Sequence, residues 1–178
     1  MNELTAKRSA VKAATQALFL VFRIGSERYA LQASEIAEVL PRLPLKPVAQ
    51  APEWVAGVFA YRGAVVPVID LSALAFGVAA QARTSTRLVL VNYRAHDGAE
   101  ARWLGLILEQ ATDTLRCNPA DFQPYGLDNR QAPWLGPVRE DAQGLLQWVR
   151  VADLLDERVR ALLFPSPPLD PALLEEGS

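Results

Sequence analysis

The chain has one histidine, His96, and one cysteine, Cys117, among its 178 residues. Together they can build neither a structural zinc site, which takes four thiolate or imidazole ligands, nor an internal disulfide. A Ser-His or Cys-His nucleophile would have to use His96, which stands in the turn-forming string His96-Asp97-Gly98 and reads as a solvated turn residue. No phosphate-cradling glycine loop, nucleophile elbow, H-E-x-x-H helix or kinase signature occurs. Twenty acidic residues allow carboxylate pairs to be drawn at will, but no spacing holds two of them together. No catalysis, metal or cofactor is expected.

The residues left over suit contacts rather than reactions. Arg62-Gly63 separates two β-rich runs, and a glycine there can take the positive φ of a hairpin turn. A weaker copy of the surrounding pattern returns about 80 residues later: P-E-W-V-A-G-V-F-A-Y-R-G-A-V-V-P-V-I-D-L-S-A-L at 52–74 is echoed by A-P-W-L-G-P-V-R-E-D-A-Q-G-L-L-Q-W-V-R-V-A-D-L-L at 132–155. Val65, Val66, Val68, Ile69, Leu71 and Leu74 then fall on Leu145, Leu146, Trp148, Val149, Val151 and Leu154, all apolar as a buried strand face requires. The mismatches are Arg62 on Ala142, Pro67 on Gln147 and Asp70 on Arg150. Since the second copy folds without an arginine at its tip, Arg62 is either a contact residue or a solvated turn arginine. Glu38 becomes its partner if the two strands lie side by side, which would fix the direction of the guanidinium more than it would hold the fold.

The elements that must position these residues are mostly strands. Leu18–Ile24 and Arg28–Leu31 flank Gly25-Ser26 as a hairpin, and Ala33–Leu40 reads as a short turn into a strand. Pro41, Pro44, Pro47 and Pro52 forbid a regular element in the loop that follows. Trp54–Tyr61 and Ala64–Leu71 form the next hairpin, with Pro67 implying an edge strand or a bulge. Ser72–Gly77 suits one helical turn, and 78–85 is a natural joint. Thr86–Tyr93 and Ala101–Leu108 repeat the first hairpin, Arg102-Trp103 echoing Arg28-Tyr29. After a proline-rich loop at Asn118–Pro137 come a strand at Leu145–Val151 and an amphipathic helix at 152–164, its Leu154, Leu155, Val159, Leu162 and Leu163 at helical spacing.

The expected architecture is therefore mainly β, two small barrels with a short C-terminal helix: a flexible arm at 1–17, a first barrel at about 18–80, a second at about 86–155, and a disordered proline-rich tail at 165–178. A net charge of -2 supplies no basic field for nucleic acid. No run of about 18 apolar residues is present to span a membrane, so a cytoplasmic protein is expected. Barrels side by side leave a groove and exposed edge strands that invite partners. A small barrel binding a ligand or an oligonucleotide is the alternative, and the acidic balance argues against the oligonucleotide.

Phe19–Val39, Pro52–Gly57 and above all the string G-V-F-A-Y-R-G-A-V-V-P-V-I-D-L at Gly57–Leu71 resemble the CheW-like chemotaxis coupling proteins of bacteria, over about Leu18 to Phe164. The resemblance implies two intertwined five-stranded SH3-like β-barrels. It also implies a non-enzymatic adaptor, recruited to membrane-bound receptor arrays, that joins the cytoplasmic tip of methyl-accepting chemoreceptors to the regulatory domain of the chemotaxis histidine kinase. Carried over by position, it implies a signalling and receptor-contact pair at Glu38 and Arg62, and a kinase-facing surface around Ile36 and Gly57. Receptor-binding apolar residues in the inter-barrel groove would be Val89, Val91 and Ile107. The family's Asn-Leu-Arg-Gly is Ala60-Tyr61-Arg62-Gly63 here, and its G-[LIV]-V-V/I-D is Gly105-Leu106-Ile107-Leu108-Glu109, departures that suit a variant chemosensory pathway. Fusion to a kinase or receiver domain is not expected within 178 residues.

Overall fold

The structure, a computed structural model, describes residues 15–126, 129–165 and 172. The expected arm and tail lie outside these residues except at 15–17, Pro165 and Ala172. Strand β1 (Ala17–Ile24) turns back onto β2 (Glu27–Gln32), with Phe19 opposite Gln32 and Ile24 opposite Glu27. A 3-10 turn at Ala33–Glu35 leads into β3 (Ile36–Leu40). Beyond the proline-rich loop come the hairpin β4 (Val55–Tyr61) and β5 (Ala64–Asp70), then helix α1 (Leu71–Phe76). Strands β6 (Arg87–Tyr93), β7 (Arg102–Cys117), β8 (Leu135–Asp141) and β9 (Gly144–Val149) precede helix α2 (Glu157–Leu163). This helix starts later than expected because Val151–Asp153 forms a 3-10 turn and Asp156 caps it, accepting the Val159 N–H at 2.8 Å.

The duplication is legible in the hydrogen bonds. The pairing of Val55 with Ile69 through Tyr61 with Ala64 recurs, 80 positions on, as Leu135 with Val149 through Asp141 with Gly144. The Asp70 N–H donates to the Trp54 carbonyl, and Arg150 repeats this to Trp134 at the same 2.8 Å. Each hairpin is edged by one bridge to the proline-rich loop before it, Lys46 to Val58 and Gln123 to Val138. That bridge is why Pro67 is tolerated. Val58 turns both backbone groups to Lys46, so its pair with Pro67 is a non-hydrogen-bonded one, and pairing on the other side of β5 begins only at Val68. β5 is therefore not an edge strand; it lies between β4 and β7.

The two copies exchange strands. β5 runs parallel to β7 with Val68 opposite Gly105, and β9 runs parallel to β2 with Trp148 opposite Ala30. One barrel is therefore β3-β6-β7-β5-β4 and the other β7-β1-β2-β9-β8, an intertwined pair of five-stranded SH3-like barrels. The strands do not divide at 80–86: the N-terminal hairpin shares a barrel with the C-terminal one. β7 serves both, pairing with β6 over Arg102–Leu108 and with β1 up to Cys117, and the hand-over falls at Gln110, whose φ is 48°. Glu109-Gln110 and Thr112-Asp113-Thr114 resemble a loop in sequence, which is why the strand was expected to stop at Leu108.

Three apolar clusters follow from this topology. Phe59, Val66, Val68, Leu88, Leu90 and Ile107 fill one barrel, and Phe19, Val21, Ala30, Cys117, Phe122 and Leu146 fill the other. Between them lies the largest, to which Leu20, Phe22, Val89, Val91, Leu104, Leu106 and the Val159 and Leu163 face of α2 contribute. Strands β1 and β6 thus send alternate residues into their own barrel and into the shared core, so both faces are buried and the strands read as unbroken apolar runs. At about 1.5–3 kcal/mol for each Leu or Val removed from water, this central core outweighs any surface ion pair in holding the barrels together.

Candidate protein-interaction site

The tip of the β4–β5 hairpin is a two-residue turn in which Arg62 and Gly63 both have left-handed backbone, φ 47° and 76°. Glycine takes this conformation freely, but for arginine it costs about 1–2 kcal/mol, so turn chemistry does not select Arg62. The second copy turns differently at the same place: Ala142 and Gln143 do not have left-handed backbone, and the positive φ falls on Gly144, at 106°.

The guanidinium lies on a small constructed surface. Arg62 Nη2 is 3.6 Å from Glu38 Oε2, an ion pair longer than a hydrogen bond, with the side chains 69% and 38% exposed. Such a pair contributes about 0–1 kcal/mol; it sets direction more than it holds the fold. The carbon at the fork also sits 5.1 Å from the centre of the Tyr61 ring. Tyr61 is braced in turn by Phe59 at 6.0 Å and by the edge-on ring of Trp103 at 5.1 Å and 77°. Glu38 comes from β3, opposite Leu90 and just past a bulge, and its neighbour Val39 is exposed. The expected Glu38–Arg62 pairing is thus formed.

The other expected contact residues are placed differently. Ile36 is half-buried at the start of β3, opposite Val91 and packed against the central core. Gly57 is buried: its φ is 145°, and a Cβ there would stand 2.6 Å from the Lys46 carbonyl. Its task is to let the proline-rich loop close over β4, and it presents nothing of itself to a partner. Val89, Val91 and Ile107 are 0%, 0% and 4% exposed. The expectation that they line an open groove is corrected: Val89 and Val91 of β6 are packed in the central core between the barrels, and Ile107 of β7 is packed inside the β3-β6-β7-β5-β4 barrel.

Asp70, a mismatch between the copies, proves structural. Its carboxylate accepts the Ala73 N–H at 3.2 Å, capping α1, and the Ala80 N–H at 2.9 Å, tying down the joint to the second half. A pair that the sequence reading missed is Arg28 with Asp141, joined by two hydrogen bonds of 2.8 and 3.1 Å at the tip of the second hairpin. Comparing Tyr61 with Asp141 between the copies was the available signal. The Arg28 guanidinium, against the opposing effect of burial, holds the Asp141 carboxyl below the usual carboxylate range.

A depression of about 780 Å³ beside β8 and β9 is lined by Tyr125, Pro137, Gln147 and Arg150 among others, and among the described residues no carboxylate, histidine or cysteine lines it. Among the described residues no group of three or more His, Cys, Asp or Glu could hold a metal ion. No helix of the described residues is long and apolar enough to cross a membrane.

Comparison with known proteins accords with the intertwined barrels. The CheW-like domain family matches residues 18–159. The chain belongs to the CheW-like family. A chemotaxis protein CheW of Rhizobium meliloti is 30% identical over 105 residues, 59% of this chain and 64% of that protein. One of Helicobacter pylori is 33% identical over 107 residues, 60% and 61%. The chain thus spans under two thirds of the length of either. Protein FrzA of Myxococcus xanthus is 35% identical over 159 residues, 85% of this chain and 95% of FrzA. The crystal structure of the scaffolding protein TtCheW from Thermoanaerobacter tengcongensis shares the fold, with a TM-score of 0.67 at 19% identity over 79% of this chain and 88% of that one.

Proposed function

We propose that this CheW-like chain is a non-enzymatic adaptor that couples methyl-accepting chemoreceptors to the regulatory domain of a chemotaxis-type histidine kinase, in the cytoplasm at membrane-bound receptor arrays. The observation that carries the reading is the Glu38–Arg62 pair, raised on a hairpin tip whose turn does not ask for arginine and which the second copy lacks. An oriented guanidinium can take a partner's carboxylate or amide oxygens with little further ordering. The receptor contact is assigned to this tip. The kinase contact is assigned to the face of the same barrel around Ile36 and the loop that Gly57 admits. Val89, Val91 and Ile107 support both surfaces from inside.

The test is titration of the chain with a kinase regulatory domain and with a soluble fragment carrying a chemoreceptor's cytoplasmic tip. Binding at micromolar concentration is expected for each. Arg62→Ala should weaken receptor-dependent control of the kinase while leaving the thermal midpoint within a few degrees. The reading loses its basis if neither fragment binds, or if Arg62→Ala leaves kinase control intact.

A further inference from the structure

Tyr61 and Asp141 hold the same place in the two hairpins, pairing with Ala64 and Gly144 at the tips. Each reaches across to the strand that its hairpin joins in parallel. Trp103 stands two residues before Gly105, the partner of Val68, and Arg28 two residues before Ala30, the partner of Trp148, so the pairing sets Trp103 against Arg28, one position off the sequence echo with Tyr29. The equivalent contacts are therefore Tyr61 with Trp103, edge to face at 5.1 Å, and Asp141 with Arg28, a doubly hydrogen-bonded ion pair. Both tips are anchored to that strand, by different chemistry. The aromatic version in the first barrel is then not dictated by folding, and it has a consequence the ionic one lacks: it offers a ring face, and Arg62 lies on it at 5.1 Å.

We propose that Trp103 is a positioning residue for Arg62, acting through Tyr61. Trp103 fixes the tilt of the Tyr61 ring, the ring supports the guanidinium, and Glu38, 3.6 Å from Nη2, fixes its azimuth. An arginine otherwise 69% exposed is thereby directed before any partner arrives, so less side-chain freedom is lost on contact. The device joins residues 41 positions apart in sequence, from the two different copies, and this chain has tyrosine where the family resemblance has leucine. The inference rests on the proposed role of Arg62 in receptor contact.

The experiment is a double-mutant cycle on binding of the receptor-tip fragment, read by calorimetry. Trp103→Leu is expected to weaken binding about two- to fivefold, the equivalent of a surface cation–π contact, and to add nothing in the Arg62→Ala background. Trp103→Phe should keep most of the affinity. Equal weakening in both backgrounds would overturn the inference, since a structural loss does not depend on Arg62. If Arg62→Ala weakens binding and Trp103→Leu does not, this inference alone falls; if Arg62→Ala has no effect, the receptor-contact reading falls with it. A measurement on the unaltered chain guards against a Trp103 variant that fails to fold. The Arg62 side-chain protons should resonate upfield of an exposed arginine through the Tyr61 ring current, and Tyr61→Leu should return them. Unshifted protons in the unaltered chain overturn the proposal.

Discussion

Replacing Asp141 by Asn tests the ionic anchor of the second barrel. The substitution is nearly isosteric, so no cavity complicates it; what changes is that Arg28, only 9% exposed, loses its counter-charge, and Arg139, 3.8 Å from the same carboxylate, loses its own. Removing one partner of a buried pair costs about 3–5 kcal/mol. Asp141 itself is 22% exposed, which admits water to one side and places the loss at the lower end, about 3 kcal/mol. For a chain of this length that lowers the thermal midpoint by about 6–12 °C. The pH dependence has a definite sign. Because the folded carboxyl is held below its ordinary value of about 3.9, its contribution is complete above that pH and is lost as the pH falls through the depressed folded value. Thermal unfolding followed by circular dichroism should therefore show the full gap between the unaltered chain and Asp141→Asn at pH 5–7, shrinking below about pH 4. A gap under 2 °C at pH 7, or one as large at pH 3 as at pH 7, would refute the reasoning. The double variant Arg28→Trp with Asp141→Tyr, which carries the first barrel's pair into the second, should be more stable than Asp141→Asn.

Gly57→Ala should destabilise strongly: the left-handed backbone alone costs about 1–3 kcal/mol, and the new Cβ would meet the Lys46 carbonyl at 2.6 Å, so urea unfolding should show a clear drop in midpoint. Tyr93→Phe should be neutral or raise the thermal midpoint by a few degrees. Its hydroxyl is buried with no hydrogen-bond partner among the described residues, while its ring stacks on Phe164 at 5.5 Å and keeps that contact without the oxygen; a loss of several degrees would show the hydroxyl to be satisfied. Arg62→Ala should change stability by no more than about 1 kcal/mol, which circular dichroism would check beside the binding measurements above.

Much of the candidate site was legible because it is local. A glycine after Arg62 marks the turn, and the left-handed backbone at Arg62 is one that arginine does not favour. The aromatic brace was not legible: Tyr61 and Trp103 meet only because β5 pairs in parallel with β7, and no periodicity announces which distant strand a hairpin will join. Nor could sequence separate accessible from buried among Val89, Val91 and Ile107. An apolar run suits equally a groove wall and a strand with core on both sides, and only the packing of β6 and β7 between two clusters decides it. Asp70 differs between the copies for a structural reason, since it caps α1 and holds the joint to the second half.

The sequence alone determined the repeating unit: strand alternation, turn glycines and the 80-residue echo are local patterns, and they specified mainly β hairpins. Only the tertiary structure decided how the two copies share strands, because parallel pairing between distant segments depends on which arrangement buries the central core, a property of the whole chain. That exchange brings Trp103 beneath Tyr61 and Arg28 against Asp141, and so makes one hairpin tip an anchored ion pair and the other a supported, outward-facing arginine.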